Sequence, residues 1–132
     1  MVPIYSALRY DGNPISALPG YRQQAARDAF DATRTAGAEC LRLKGGAGYA
    51  VGLAVREVVA AVLQDIGAVL PVSTLHSDGE FQGVALSLPT RVGRSGVQQV
   101  VPLDLSKEER RGLAHSAEIL RKTIARIAPQ PA

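Results

Sequence analysis

Leu43-Lys44-Gly45-Gly46-Ala47-Gly48-Tyr49-Ala50-Val51-Gly52 joins two helix-like segments and carries four glycines between positions 45 and 52. Each glycine weakens a helix already formed by roughly 1 kcal/mol relative to alanine. Such a run keeps side chains away from a place where something comes close. Two readings stand side by side: a gap left for a ligand or partner domain, or a plain kink between two packed helices. Directly after it the pattern turns regular, with Val51, Val55, Val58, Val59, Val62 and Ile66 recurring at three- and four-residue spacing. That is one apolar stripe of a helix, predicted over about residues 50–64. The continuous apolar run from Val58 to Leu63 implies burial on more than one side, and Ile66-Gly67 ends the helix.

Upstream of the glycines, a helix is predicted over about residues 21–43. Its inner stripe reads Ala26, Phe30, Thr33, Gly37, Cys40 and Leu41, small enough for another element to approach closely. Asp28 and Asp31 with Arg34, and Glu39 with Arg42, suit its wet side. Before Pro19-Gly20, residues 2–10 carry β-formers in loose alternation, and Asp11-Gly12-Asn13-Pro14 is a tight-turn signal. Residues 15–18 are a candidate short return strand. A strand starting at residue 2 is what a chain cut inside a larger fold looks like, although a compact domain also begins so.

Downstream, residues 69–75 read as a strand whose Pro71 places it at a sheet edge or near its own start. His76-Ser77-Asp78-Gly79 is a turn. Residues 84–92 alternate with period two, Gly93-Arg94-Ser95-Gly96 supplies a hairpin turn, and residues 97–103 form the return strand. The sharpest local signal is Ser106-Lys107-Glu108-Glu109, a capping box in which serine and glutamate exchange hydrogen bonds across the first turn. Leu113, Ala117, Leu120, Ile124 and Ile127 continue it as a stripe, and Pro129 stops it. The fold class is α+β: a small antiparallel sheet packed with three long helices in one domain over residues 1–132.

The 132 residues suit a single domain, and with two phenylalanines, four tyrosines and no tryptophan the core is aliphatic. A net charge of +3 is mild. The basic residues alternate with acids and lack interleaved aromatics, so a nucleic-acid partner is not expected. No run approaches the roughly 18 apolar residues of a membrane helix, and the start lacks the charge and apolar core of a signal peptide. One cysteine, Cys40, makes no internal disulfide and fits a packed free thiol in a reducing cytoplasm.

Chemistry is scarce. Only His76 and His115 offer imidazoles. His76 sits beside Asp78 and Glu80, which suggests an acid–base pair, but a surface turn histidine is the plainer reading. His115 falls beside the last helix's stripe, exposed or at the rim. Cys40 has no histidine at a telling spacing, and nothing clusters in a zinc pattern. Lys44-Gly45-Gly46-Ala47-Gly48 lacks both the order and the preceding strand of a phosphate-cradling loop. Neither catalytic nor metal-binding residues are assigned.

Three stretches carry a resemblance. Met1-Val2-Pro3-Ile4 with Arg9-Tyr10 and Gly12-Asn13-Pro14-Ile15 is the first, and the glycine junction from Leu43 to Val55 the second. The third and most specific is residues 69–101, continued by the capped helix at Ser106. Together they resemble the C-terminal, substrate-binding half of the malate/lactate dehydrogenase family, more like the malate branch, over essentially the whole chain. The resemblance implies a 2-hydroxy acid to 2-keto acid oxidoreductase in which NAD sits on an N-terminal Rossmann domain. A histidine in a His-Gly-Asp context is the family's base, an aspartate orients it, and arginines clamp the substrate. All of these lie upstream of Met1, and neither His76 nor His115 matches the family histidine. What carries over is secondary: Ala47 and Gly48 line the substrate pocket, and Val51 packs near the nicotinamide. The turn at residues 76–83 departs from the family pattern in length. NAD is expected only if a Rossmann half is supplied, and the chain alone is expected to be inactive. The expected partners are that missing half or a second copy, with a small 2-hydroxy or 2-keto acid only in the completed enzyme. The alternative is a truncated or repurposed fragment that serves as a self-associating, non-catalytic module.

Overall fold

The computed structural model describes residues 1–46 and 48–127. The chain divides into two compact units, one of Met1 and Pro3–Arg56, the other of Val2 and the chain from Glu57 onward.

In the first unit a single 3-10 turn, Tyr5–Ala7, precedes strand β1 (Arg9–Tyr10), which pairs with β2 (Asn13–Pro14). Asp11 and Gly12 between them both have left-handed backbones, φ 49° and 77°. Two positive φ values in a row match the twist of a two-residue hairpin. The long strand expected over residues 2–10 is cut to two residues. The return strand expected at 15–18 is instead the 3-10 turn Ile15–Ala17. The tight turn consumes only Asp11 and Gly12, so the return begins at once, and Pro14 in it has no amide hydrogen with which to extend the ladder.

Helix α1 (Gln23–Lys44) follows the predicted segment closely, but its inner stripe does not hold. Only Ala26 and Phe30 are half-buried, while Thr33, Gly37, Cys40 and Leu41 are exposed. Small and polar side chains offer little area to bury, so this stripe does not by itself draw a cover. The wet side is as expected for Arg34, 3.6 Å from Asp31, and for Arg42, which donates from Nε to Glu39 at 2.9 Å. Asp28 accepts from Gln24 instead, at 2.8 Å.

Helix α2 (Gly48–Gln64) contains the division between the units. It buries Ala61 alone, although its sequence is apolar around much of its girth. Val59 is 46% and Leu63 72% exposed, against the expectation of burial on several sides. An apolar helix buries only what its neighbours cover, and the described residues leave much of it exposed.

The second unit is organised by a sheet of order β3-β4-β5, all antiparallel: β3 (Ala68–Leu75), β4 (Ala85–Gly93) and β5 (Gly96–Val100). Period-two alternation in β3 places Leu70, Val72 and Thr74 on the more buried face. On β4, Leu88, Thr90 and Val92 are buried, and the Thr90 hydroxyl donates to the Leu88 carbonyl at 2.8 Å. Pro71 lies on an edge strand, as its chemistry requires. The return strand stops at Val100 rather than 103, shortly before Pro102, though the Val101 amide still donates to the Pro89 carbonyl at 2.8 Å.

Helix α3 (Lys107–Ile127) starts with the capping box complete: Glu109 N–H donates to Ser106 Oγ at 3.2 Å, and Ser106 N–H to Glu109 Oε2 at 2.8 Å. Its stripe buries Leu113 and Ala117, while Ile124 and Ile127 become exposed as the helix runs on. Pro129 lies outside the described residues. The core is therefore small and aliphatic, drawn from Ala61, Val84, Leu88, Val92, Leu113 and Ala117. Three α-helices with two small antiparallel sheets make the chain α+β. No helix among the described residues is long and apolar enough to cross a membrane.

Candidate functional site

The glycine junction belongs to the first unit. Helix α1 ends there because Gly45 adopts a left-handed backbone (φ 74°, ψ 5°) and returns its N–H to the Leu41 carbonyl at 2.8 Å. This is the glycine C-cap that a side chain would strain. Arg42 and Lys44 occupy the last turn, where positive charge complements the helix dipole. The carboxyl of Glu39, hydrogen-bonded by Arg42, is held below the usual carboxylate range, and the same bond raises the guanidinium. The Lys44 ammonium lies 4.6 Å from the centroid of the Tyr49 ring, a cation–π contact that spans the junction.

Ala47, expected to line a substrate pocket, lies outside the described residues. Gly48 opens α2, and Val51 follows on its first turn, 58% exposed. A Cβ built on Gly46, Gly48 or Gly52 meets nothing within 4 Å among the described residues. The left-handed turn accounts for Gly45, but no packing partner among the described residues accounts for the other three. On the described residues the junction presents one exposed apolar side chain, Val51, beside open space at Gly48.

The remaining candidates lie elsewhere. Cys40 is exposed on α1 and not packed as expected, because the stripe it belongs to is uncovered. His115 is exposed on α3. His76 is not the surface turn residue expected. Its backbone is clamped by Val84 and Gly83 (3.0 and 2.9 Å), its ring meets Phe81 edge-on at 5.9 Å, and its Nε2 is buried with no hydrogen-bond partner among the described residues. No group of three or more His, Cys, Asp or Glu among the described residues could hold a metal. Sequence reading missed an open cavity of about 400 Å³ beside His76, whose lining includes Glu80 and Arg110, their charged ends 2.9 Å apart. Thirty positions separate that pair, and no local pattern announces such a contact.

Residues 1–130 match the family described as lactate/malate dehydrogenase, alpha/beta C-terminal domain. The chain is 40% identical over 129 residues to an L-lactate dehydrogenase of Synechococcus sp. (strain JA-3-3Ab), covering 96% of this chain and 42% of the relative. It is 32% identical to an L-2-hydroxycarboxylate dehydrogenase (NAD(P)(+)) of Methanocaldococcus jannaschii, covering 92% and 40%. The crystal structure of a lactate dehydrogenase from a Medee basin deep-sea metagenome library superimposes with a TM-score of 0.84 at 26% identity, covering 92% of this chain and 41% of that one. The chain thus spans about two fifths of the length of the relatives it matches. Their names speak of lactate and 2-hydroxycarboxylates, so the lean toward the malate branch draws no support from them. With the match running over nearly every residue and the α+β architecture agreeing, the chain belongs to the lactate/malate dehydrogenase family, in its alpha/beta C-terminal domain.

Proposed function

We propose that this chain acts as one C-terminal domain, the substrate-side half of an NAD-dependent 2-hydroxy-acid dehydrogenase, silent until a dinucleotide-binding half joins it. The observation that carries this reading is the family match over residues 1–130, confined to a C-terminal domain and to about two fifths of each relative. The relatives' names favour lactate or another small 2-hydroxy acid as substrate. An exposed thiol at Cys40 suits a reducing cytoplasm.

NAD bound to the other half would supply the hydride acceptor. This chain's part is clearance and exclusion of water. Ala47 and Gly48 keep bulk out of the substrate's place, and Val51 sets an apolar surface beside it. A general base must come within about 2.6–3.2 Å of the hydroxyl proton it removes. The junction's unit contains no histidine, since His76 and His115 both fall in the second unit. Neither His76 nor His115 stands in the His-Gly-Asp context of the family's base, so the base is assigned to the other half.

The test is turnover with lactate and NAD, by the purified chain alone and after a dinucleotide-binding half is fused or co-expressed. The chain alone should make no NADH, and the completed protein should. NADH made by the chain alone and lost in His76→Ala would overturn the proposal. In the completed enzyme Ala47→Leu should lower kcat/KM by about 10- to 100-fold, roughly 1.4–2.7 kcal/mol of transition-state stabilisation. Denaturant midpoints of the chain alone should move much less. The second reading, a non-catalytic self-associating module, is favoured by the exposed apolar length of α2. It gains if the completed protein binds NAD and still fails to turn over.

A further inference from the structure

Helix α3 carries a glycine in its second turn, Gly112. Inside a helix glycine is weaker than alanine, because it loses more backbone freedom on folding. At Gly37, Gly48 and Gly52, the other helical glycines among the described residues, a Cβ meets nothing within 4 Å. Gly112 is different. A Cβ there would stand 2.9 Å from Val2 Cγ1 and 3.4 Å from Val2 Cγ2. Val2 and Gly112 belong to the same unit, and both are half-buried. The valine side chain therefore rests on bare helix backbone, where a side chain at position 112 would collide with it.

Val2 is poorly suited to yield. It is β-branched, which restricts χ1. With both methyls facing the helix, every staggered rotamer keeps at least one of them there. It also precedes Pro3, whose ring confines residue 2 to extended backbone and whose own φ is fixed. A push on Val2 is thus passed along the main chain more than it is absorbed by side-chain rotation. The family match is to a C-terminal domain and begins at residue 1. In the reading proposed above, the dinucleotide-binding half is therefore joined to this domain through Met1-Val2-Pro3. We propose that Gly112 is a positioning residue. By leaving room for Val2 it sets the path on which the chain enters the domain, and with it the placement of the upstream half. This role rests on the reading that such a half completes the enzyme; the seat itself does not.

The seat is tested on the full chain by urea unfolding of the wild type, Gly112→Ala, Val2→Ala and the double variant. Helix preference alone makes Gly112→Ala stabilising by the same amount whichever residue stands at position 2. The seat makes it lower the urea midpoint beside Val2 and raise it in the Val2→Ala background. The two effects should differ by about 5- to 30-fold in the unfolding equilibrium constant. Equal effects in both backgrounds overturn the proposal. The positioning role is tested with the dinucleotide-binding half fused at Met1, as turnover of lactate per folded molecule. Gly112→Ala should lower kcat by about 10- to 100-fold, the scale of a displacement of about 1 Å remote from the chemistry. The Kd for NAD, set by the upstream half, should hold, and adding Val2→Ala should restore most of the turnover. An unchanged kcat in Gly112→Ala, or a double variant no faster than Gly112→Ala, overturns it. A fused wild type that makes no NADH overturns the reading beneath the positioning role and that role with it, while the unfolding cycle still decides the seat.

Discussion

At Gly93, at the end of β4, a Cβ would stand 2.3 Å from Gln98 Nε2 and 2.7 Å from Asp65 Oδ1. Gln98 can swing away, but Asp65 is tied, accepting from Arg94 N–H at 2.8 Å from its left-handed position (φ 54°) after α2. Gly93→Ala should therefore cost about 1–3 kcal/mol, the range of overpacking, seen as a lower urea midpoint with unchanged slope. Gly46→Ala, with open space around it, should cost far less. On α1 the sign of a pH effect follows from Glu39. Its carboxyl is lowered by the Arg42 hydrogen bond, so the contact contributes above the unfolded pKa and is lost as pH falls through the folded one. The Glu39 carboxyl carbon should titrate at lower pH in the native protein than in Arg42→Gln, where equal midpoints would remove the assignment. The pair is fully exposed, so global stability should scarcely register it.

Helix α3 depends on its first turn. Ser106→Ala removes the acceptor for the Glu109 amide and leaves a nearly buried carboxylate, 7% exposed, with one fewer constraint. A loss of about 1 kcal/mol is expected, read from thermal or urea unfolding. The capping box was legible because both partners lie within four residues and their chemistry allows one arrangement. The β3–β4–β5 meander was legible for a similar reason: alternation in residues 84–92 and the Gly93–Gly96 turn are local. The inner stripe of α1 was not, because whether Thr33, Gly37 and Cys40 are covered depends on what packs there, and periodicity only says that they share a face. The candidate site was legible as a run of glycines but not in its meaning. Gly45 is required by a positive φ, whereas Gly46, Gly48 and Gly52 answer to nothing among the described residues. The cavity beside His76 was invisible, since Glu80 and Arg110 meet only through the tertiary fold.

For the molecule as a whole, apolar side chains remain in contact with water along α2: Val51, Leu53, Val55 and Leu63 are between 55% and 72% exposed. Contiguous apolar surface beyond a few hundred Å² marks an interaction site. Sedimentation at several concentrations should find dimers or larger species. A protein that stays strictly monomeric and does not aggregate would contradict this. The sheet bears on how such association proceeds. Pro71 in β3 stands opposite Pro89 in β4, and the Pro89 carbonyl is taken by Val101 on the β5 side. In an antiparallel ladder a residue's N–H and C=O point the same way, so Pro89 faces β5 and Pro71 faces the outer margin of β3. At its midpoint that margin offers a ring methylene where a neighbouring strand would seek a hydrogen-bond donor. A second copy cannot zip onto the sheet there without a gap, so the chain resists growing strand by strand into a fibre while its helices stay open to a partner.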